Sequence, residues 1–92
     1  MSISRQLMYW LIAGSRGGEN RAKIILTLKE KPMNARQLSE KMGVHYTTIE
    51  HHLEVLVKNG FLAWAGEKYG KMYFLSQDLV DGFHEFEKII GK

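Results

Sequence analysis

From Val44 to Leu53 the chain reads VHYTTIEHHL, and seven of these ten side chains can hydrogen-bond. Thr47 and Thr48 offer hydroxyls that donate or accept at base edges or phosphates, and methyls that can meet thymine. Glu50 can accept from a cytosine amino group. Tyr46 can stack on a sugar or reach a phosphate, and His45 and His51 fall in the same leading turns. Each of these groups also has a structural reading. Tyr46 can pack against the protein, Thr48 can bond back to its own helix, and Glu50 can stay solvated or pair with Lys58 through neighbours. His52, next to Leu53, reads as a partly buried structural histidine. The stretch has no Arg or Lys, so the common bidentate contact to guanine is missing. Phosphate contacts must come from elsewhere, and Arg36, Lys41, Lys58, Lys68 and Lys71 are the candidates. No cysteine nucleophile, nucleophile elbow or carboxylate pair is present, so an enzyme is not expected.

Two helical patterns must hold that stretch, over about residues 34–60. The first begins at Asn34, an N-cap residue, with Gln37 completing a capping box. Leu38 and Met42 share a face, and Gly43 supplies a left-handed stop. The second runs from about Tyr46 to Asn59, with Ile49, Leu53 and Leu56 as its apolar stripe. Two helices joined by a short glycine turn form a helix-turn-helix, whose second helix enters the major groove of DNA.

The remaining elements follow from changes of period. Residues 3–13 read as a first helix with Ile3, Leu7, Trp10 and Leu11 on one face. Its short apolar run also resembles a minimal secretory signal, but it sits at the lower length limit for one, and it is far too short to span a membrane. Ser15-Arg16-Gly17-Gly18 is a break. A helix follows to about Lys31, with Ile24, Ile25 and Leu28 inward, and Pro32 stops it. Arg21 in its first turn either anchors a phosphate or ties the helix to a neighbouring carbonyl or carboxylate; the tie is preferred. Pro32 and Met33 can add a very short edge strand. After Gly60 the period becomes two. Strands over 61–65 and 72–75 enclose a turn, Gly66 to Lys71, tipped by Lys68 and Lys71. A hairpin placed there is a wing. From Ser76 a last helix carries Leu79, Phe83, Phe86 and Ile90 at spacings of four, three and four. The first and last helices hold more apolar surface than a small core can cover. That excess predicts a homodimer through Ile3, Leu7, Trp10, Leu11, Leu79, Phe83, Phe86 and Ile90.

Ninety-two residues suit a single domain, 1–92, and the 45% apolar content suits a folded one. Residues 1–75 carry 11 Lys/Arg against 6 Asp/Glu, a balance of +5; residues 76–92 carry 2 against 4, a balance of −2. The front of the chain is the better partner for phosphates. The lack of cysteine excludes disulfides and thiolate chemistry and fits a reducing, cytoplasmic setting. Asp81, His84 and Glu85 share a helix face, but solvated residues explain them better than a metal site. Neither metal nor cofactor is implied.

The order of helices and hairpin, with His51-His52-Leu53 after a Thr-rich turn, resembles the ArsR-type winged-helix transcription regulators. Gly17-Gly18-Glu19-Asn20-Arg21, Tyr46-Thr47-Thr48-Ile49 and Tyr69-Gly70-Lys71-Met72-Tyr73-Phe74-Leu75-Ser76 resemble a small archaeal group among them. The resemblance implies an α+β winged helix-turn-helix, mostly helical, with a two- to three-stranded wing and five helices. It implies a DNA-binding homodimer, a repressor on a palindromic site, with duplex DNA and a second copy as partners and no membrane. The family's cysteine metal site has no counterpart here. The competing reading is a winged helix that binds protein and not DNA.

Overall fold

The computed structural model describes residues 3–68 and 70–91. Tyr69, quoted for the wing resemblance, lies outside them. The elements are α1 (Arg5–Ile12), α2 (Gly18–Glu30), α3 (Ala35–Met42), α4 (Tyr46–Lys58), β1 (Leu62–Ala65), β2 (Met72–Leu75), α5 (Gln77–Asp81) and α6 (Phe83–Ile89). This is an α+β winged helix-turn-helix.

The helix-turn-helix forms for the local reasons its residues carry. Asn34 Oδ1 accepts from Gln37 N–H at 2.8 Å, and Gln37 Oε1 accepts from Asn34 N–H at 2.9 Å. This reciprocal box satisfies two of the orphan donors at the start of α3. Gly43 ends the helix at φ 66°, ψ 30°, a conformation that costs glycine little. The turn is then locked by Ser39, whose hydroxyl donates to Val44 C=O at 2.6 Å. Ile49, Leu53 and Leu56 are at most 1% exposed, so the predicted stripe of α4 is its buried face. Burying each such side chain is worth about 1.5–3 kcal/mol, and together these contacts fix which face of α4 remains outside.

β1 and β2 pair antiparallel, Leu62 opposite Leu75 and Ala65 opposite Met72. A bridge between Met33 and Tyr73 adds the short third piece on the outer edge, with bonds of 3.2 and 2.8 Å. Phe61 is not part of the strand; it is a fully buried plug whose N–H caps Leu56 C=O. Ser76 closes the hairpin. Its hydroxyl donates to Gly60 C=O at 2.8 Å and caps Leu79 N–H at 3.1 Å.

Two further expectations are corrected. The last helix is two, α5 and α6, parted at Gly82, so the described residues hold six helices and not five. Gly82 takes φ −96°, ψ 13°, and a Cβ there would meet Asp78 C=O at 3.4 Å and Met8 Cε at 3.8 Å. The break lets α6 pack on α1. The second correction concerns the expected dimer residues. Leu11, Leu79, Phe83 and Phe86 are at most 9% exposed within the protomer and belong to its own core. Helix α1 turns Met8, Leu11 and Ile12 inward and leaves Trp10 58% exposed beside half-buried Ile3 and Leu7. Ile90 is also half-buried.

Candidate nucleic-acid interface

The leading end of α4 is open. Tyr46, Thr47, Thr48, Glu50 and His51 are exposed, while Ile49 and His52 between them are buried. Burial thus puts His52 with the apolar stripe, as expected, and leaves the other polar side chains of the stretch outside. His45 is the N-cap. Its Nδ1 accepts from Thr47 N–H at 3.3 Å and lies 2.9 Å from Thr47 Oγ1, so this histidine shapes the first turn as well as facing outward.

The exposed residues divide between two flanks of the helix. Tyr46 and Glu50, four apart, border a groove shared with Arg36, Lys68, Lys71 and Tyr73. The Glu50 carboxylate, more than slight desolvation, raises the Tyr46 phenol above its ordinary value. Tyr73 is raised as well, first by burial and then by Glu50 and Tyr46. Glu50 is therefore the negative charge of this groove. Lys71 Nζ stands 4.3 Å above the Trp64 ring, a cation–π contact that steadies the wing's inner side. Lys58 borders the continuation of this flank with Glu54, Val57 and Trp64. Thr47, Thr48 and His51 line the opposite flank with Arg16 and Arg21. Lys41 stands apart, in a depression with Lys31, Met33, Gln37 and Glu40 that no α4 residue borders.

Arg21 explains how the second flank is built. It is 5% exposed and makes the structural tie, not an open phosphate anchor. Its Nε donates to Leu11 C=O at 2.8 Å, and its Nη2 to Ser15 Oγ at 2.7 Å and Arg16 C=O at 3.1 Å. Its Nη1 is 3.3 Å from His52 Nδ1. Arginine only donates, so that nitrogen accepts, and His52 carries its proton on Nε2 and is neutral. Burial first, then the Arg21 charge and His51, lower the His52 pKa. Burial also lowers that of Arg21. Gly17, at φ 87°, leaves the room this knot needs: a Cβ there would stand 2.8 Å from His52 Cε1. Sequence reasoning missed Arg16 because it read the residue as part of a break. No periodicity marks an arginine that only tertiary folding brings beside Thr47.

Asp81, His84 and Glu85 do not converge. Asp81 accepts from Gln77 at 2.8 Å, and Glu85 pairs with Arg5 at 2.8 Å, which holds its carboxyl below the usual value. Among the described residues no group of three or more His, Asp or Glu stands close enough to hold a metal. No helix of the described residues is long and apolar enough to cross a membrane.

An open helix end flanked by cations, beside a lysine-bearing hairpin, defines a DNA-binding winged helix. Residues 18–63 match the family described as bacterial regulatory protein, arsR family, and the chain belongs to it. That is a family of regulators, not of enzymes. No curated protein matches the chain by sequence. Among solved structures, the transcriptional regulator HlyU from Vibrio vulnificus CMCP6 is similar at a TM-score of 0.70 and 17% identity, over 96% of this chain and 85% of that one. Reduced HlyU from Vibrio cholerae N16961 gives 0.71 and 18%, over 95% and 88%. The adhesin competence repressor AdcR from Streptococcus pyogenes gives 0.62 and 13%, over 78% and 59%. At these identities the likeness is one of fold.

The Arg21–His52 bond makes stability depend on pH. In the unfolded chain a histidine takes its proton near pH 6.5, while the folded protein holds His52 neutral to a lower pH. The unfolded state thus binds more protons below about 6.5, so this contribution is complete above that pH and declines as pH falls through the folded value. Urea denaturation should show a lower midpoint at about pH 5.5 than at about 7.5, and His52→Gln should shrink the difference. Parallel profiles for the two proteins would contradict a neutral His52.

Proposed function

We propose that the chain is a sequence-specific, homodimeric repressor whose α4 reads a palindromic operator. The observation that carries this is the exposure of Tyr46, Thr47, Thr48, Glu50 and His51 on a helix whose other face is fully buried. Glu50 accepts from a cytosine amino group, and the threonine methyls favour thymine. Arg36, Lys68 and Lys71 hold the adjacent phosphates, with Lys58 behind them; Lys41 is the weakest of the candidates because it sits apart. The cations around a helix tip whose one charge is Glu50 favour a duplex over a protein partner. Whole-domain organisation over 1–92, a cytoplasmic location and kinship with small archaeal regulators belong to this same reading.

The dimer surface is the outer side of α1, with Ile3, Leu7 and Trp10, together with Val80 and Ile90 at the chain's far end. Trp10 and Val80, 58% and 51% exposed, are the apolar surface that a second copy would cover. Each protomer would then place its α4 in one of two successive major grooves, about 34 Å apart.

Two measurements test the reading. Lys68→Ala with Lys71→Ala should weaken binding to every duplex alike and lower the salt slope by up to about 1.8 per protomer, at about 0.9 per phosphate. A slope left unchanged argues against the wing's role, and a protein that binds no duplex removes the reading altogether. Sedimentation at micromolar concentration should give a dimer that Trp10→Glu converts to a monomer; a monomeric native protein would remove the dimer.

A further inference from the structure

Groove geometry sets the terms. The DNA major groove is about 12 Å wide, and an α-helix with its side chains is about 10–12 Å across. A helix lying in the groove therefore has a phosphate backbone on each side. The wing serves the side of Tyr46 and Glu50. The other side, with Thr47, Thr48 and His51, opens onto a depression bordered by the corner between α1 and α2.

The depression is lined by two positive charges and no acid, and the nearby Glu19 pairs with Lys23 at 3.5 Å. Arg16 is exposed, and its guanidinium makes no ion pair or hydrogen bond among the described residues. Arg21, 95% buried, borders the same depression. Its bonds go to carbonyls, a hydroxyl and a neutral imidazole, so no carboxylate offsets its charge. A buried charge without a counter-ion is costly, and a nearby anion relieves the cost. The corner is also rigid. Arg21 holds the Arg16 carbonyl, and Gly18 lies so close beneath α1 that a Cβ there would stand 2.1 Å from Ile12 C=O. Arg16 is thus displayed from a fixed backbone beside Thr47 and His51.

We infer that the α1–α2 corner is a second phosphate clamp, with Arg16 as its contacting group, gripping the DNA strand on the side of α4 away from the wing. Arg21 is its positioning residue and adds long-range attraction. The clamp rests on the DNA-binding reading above. It makes the grip two-sided: the wing holds one strand, the corner the other, and the base-reading residues are centred between them.

The test is salt-titrated binding of the full chain to its selected duplex. Arg16→Ala should lower the salt slope by roughly 0.9 per protomer, while Arg16→Lys keeps the slope. Lys29→Ala removes an equal charge from the far end of α2, where Lys29 sits over Phe83, and should leave the slope in place. Single methylphosphonates scanned along both strands then locate the contact. The Arg16→Ala protein should lose sensitivity to neutral phosphates on one strand, and the Lys68/Lys71 double variant to those on the other. An unchanged slope for a folded Arg16→Ala protein, or loss at the same phosphates as the wing variant, would overturn the clamp. Wing-dependent binding by the native protein in that same experiment would leave the DNA-binding reading intact. No binding by the native protein would sink both.

Discussion

The guanidinium of Arg21 is the tie on which this small protein's functional end depends. It gathers the end of α1, the corner after it and the back of α4 around one buried cation. Hydrogen bonds to a charged donor contribute about 1.5–3 kcal/mol each when they stand alone. Several on one group do not simply add, but losing the group would leave every partner unsatisfied at once. In a domain of this size, with a modest core, that is a large share of the total. The tie also has a chemical condition: His52 must be neutral to accept. The orientation of the reading helix is therefore coupled to the protonation of a residue on its hidden side.

What the outer side of α4 offers follows from that constraint. The helix cannot roll, because Ile49, Leu53 and Leu56 are locked in the core and His52 is bonded to Arg21. In the proposed complex, rigid placement allows short side chains to do the reading. Threonine and glutamate reach little beyond the helix surface, so they need a backbone delivered accurately. That proposal separates specificity and affinity in space. The tip of α4 carries polar groups and a single negative charge, while the positive charges sit around it on α3, the wing and the α1–α2 corner.

Much of this was legible in the sequence. The Asn34–Gln37 box, Gly43 and the spacing of Ile49, Leu53 and Leu56 are local signals, and each has the expected physical counterpart in the structure. The hairpin was legible from the change of period after Gly60. Where the reading failed, the deciding contacts are long-range. Phe83 and Phe86 look surplus on a helical wheel, yet a break at Gly82 tilts α6 so that both fill the protomer's own core. Trp10 and Leu11 are neighbours in sequence with opposite fates, which only the packing of α1 on α2 and α6 decides. Arg16 had no signal at all, since Thr47 and His51, which line the same depression, lie some thirty residues away. The division of α4 into two flanks is likewise a property of what surrounds the helix.

The central claim is that DNA lies across the open end of α4, between the wing and the α1–α2 corner. Amide chemical-shift mapping of the labelled protein, titrated with its selected duplex, examines this most directly. The account predicts that the largest changes fall on residues 46–51, at Arg16 and at Lys68 and Lys71, with the outer side of α1 and α6 little affected. Changes concentrated on α1 and α6, with residues 46–51 unmoved, would contradict it.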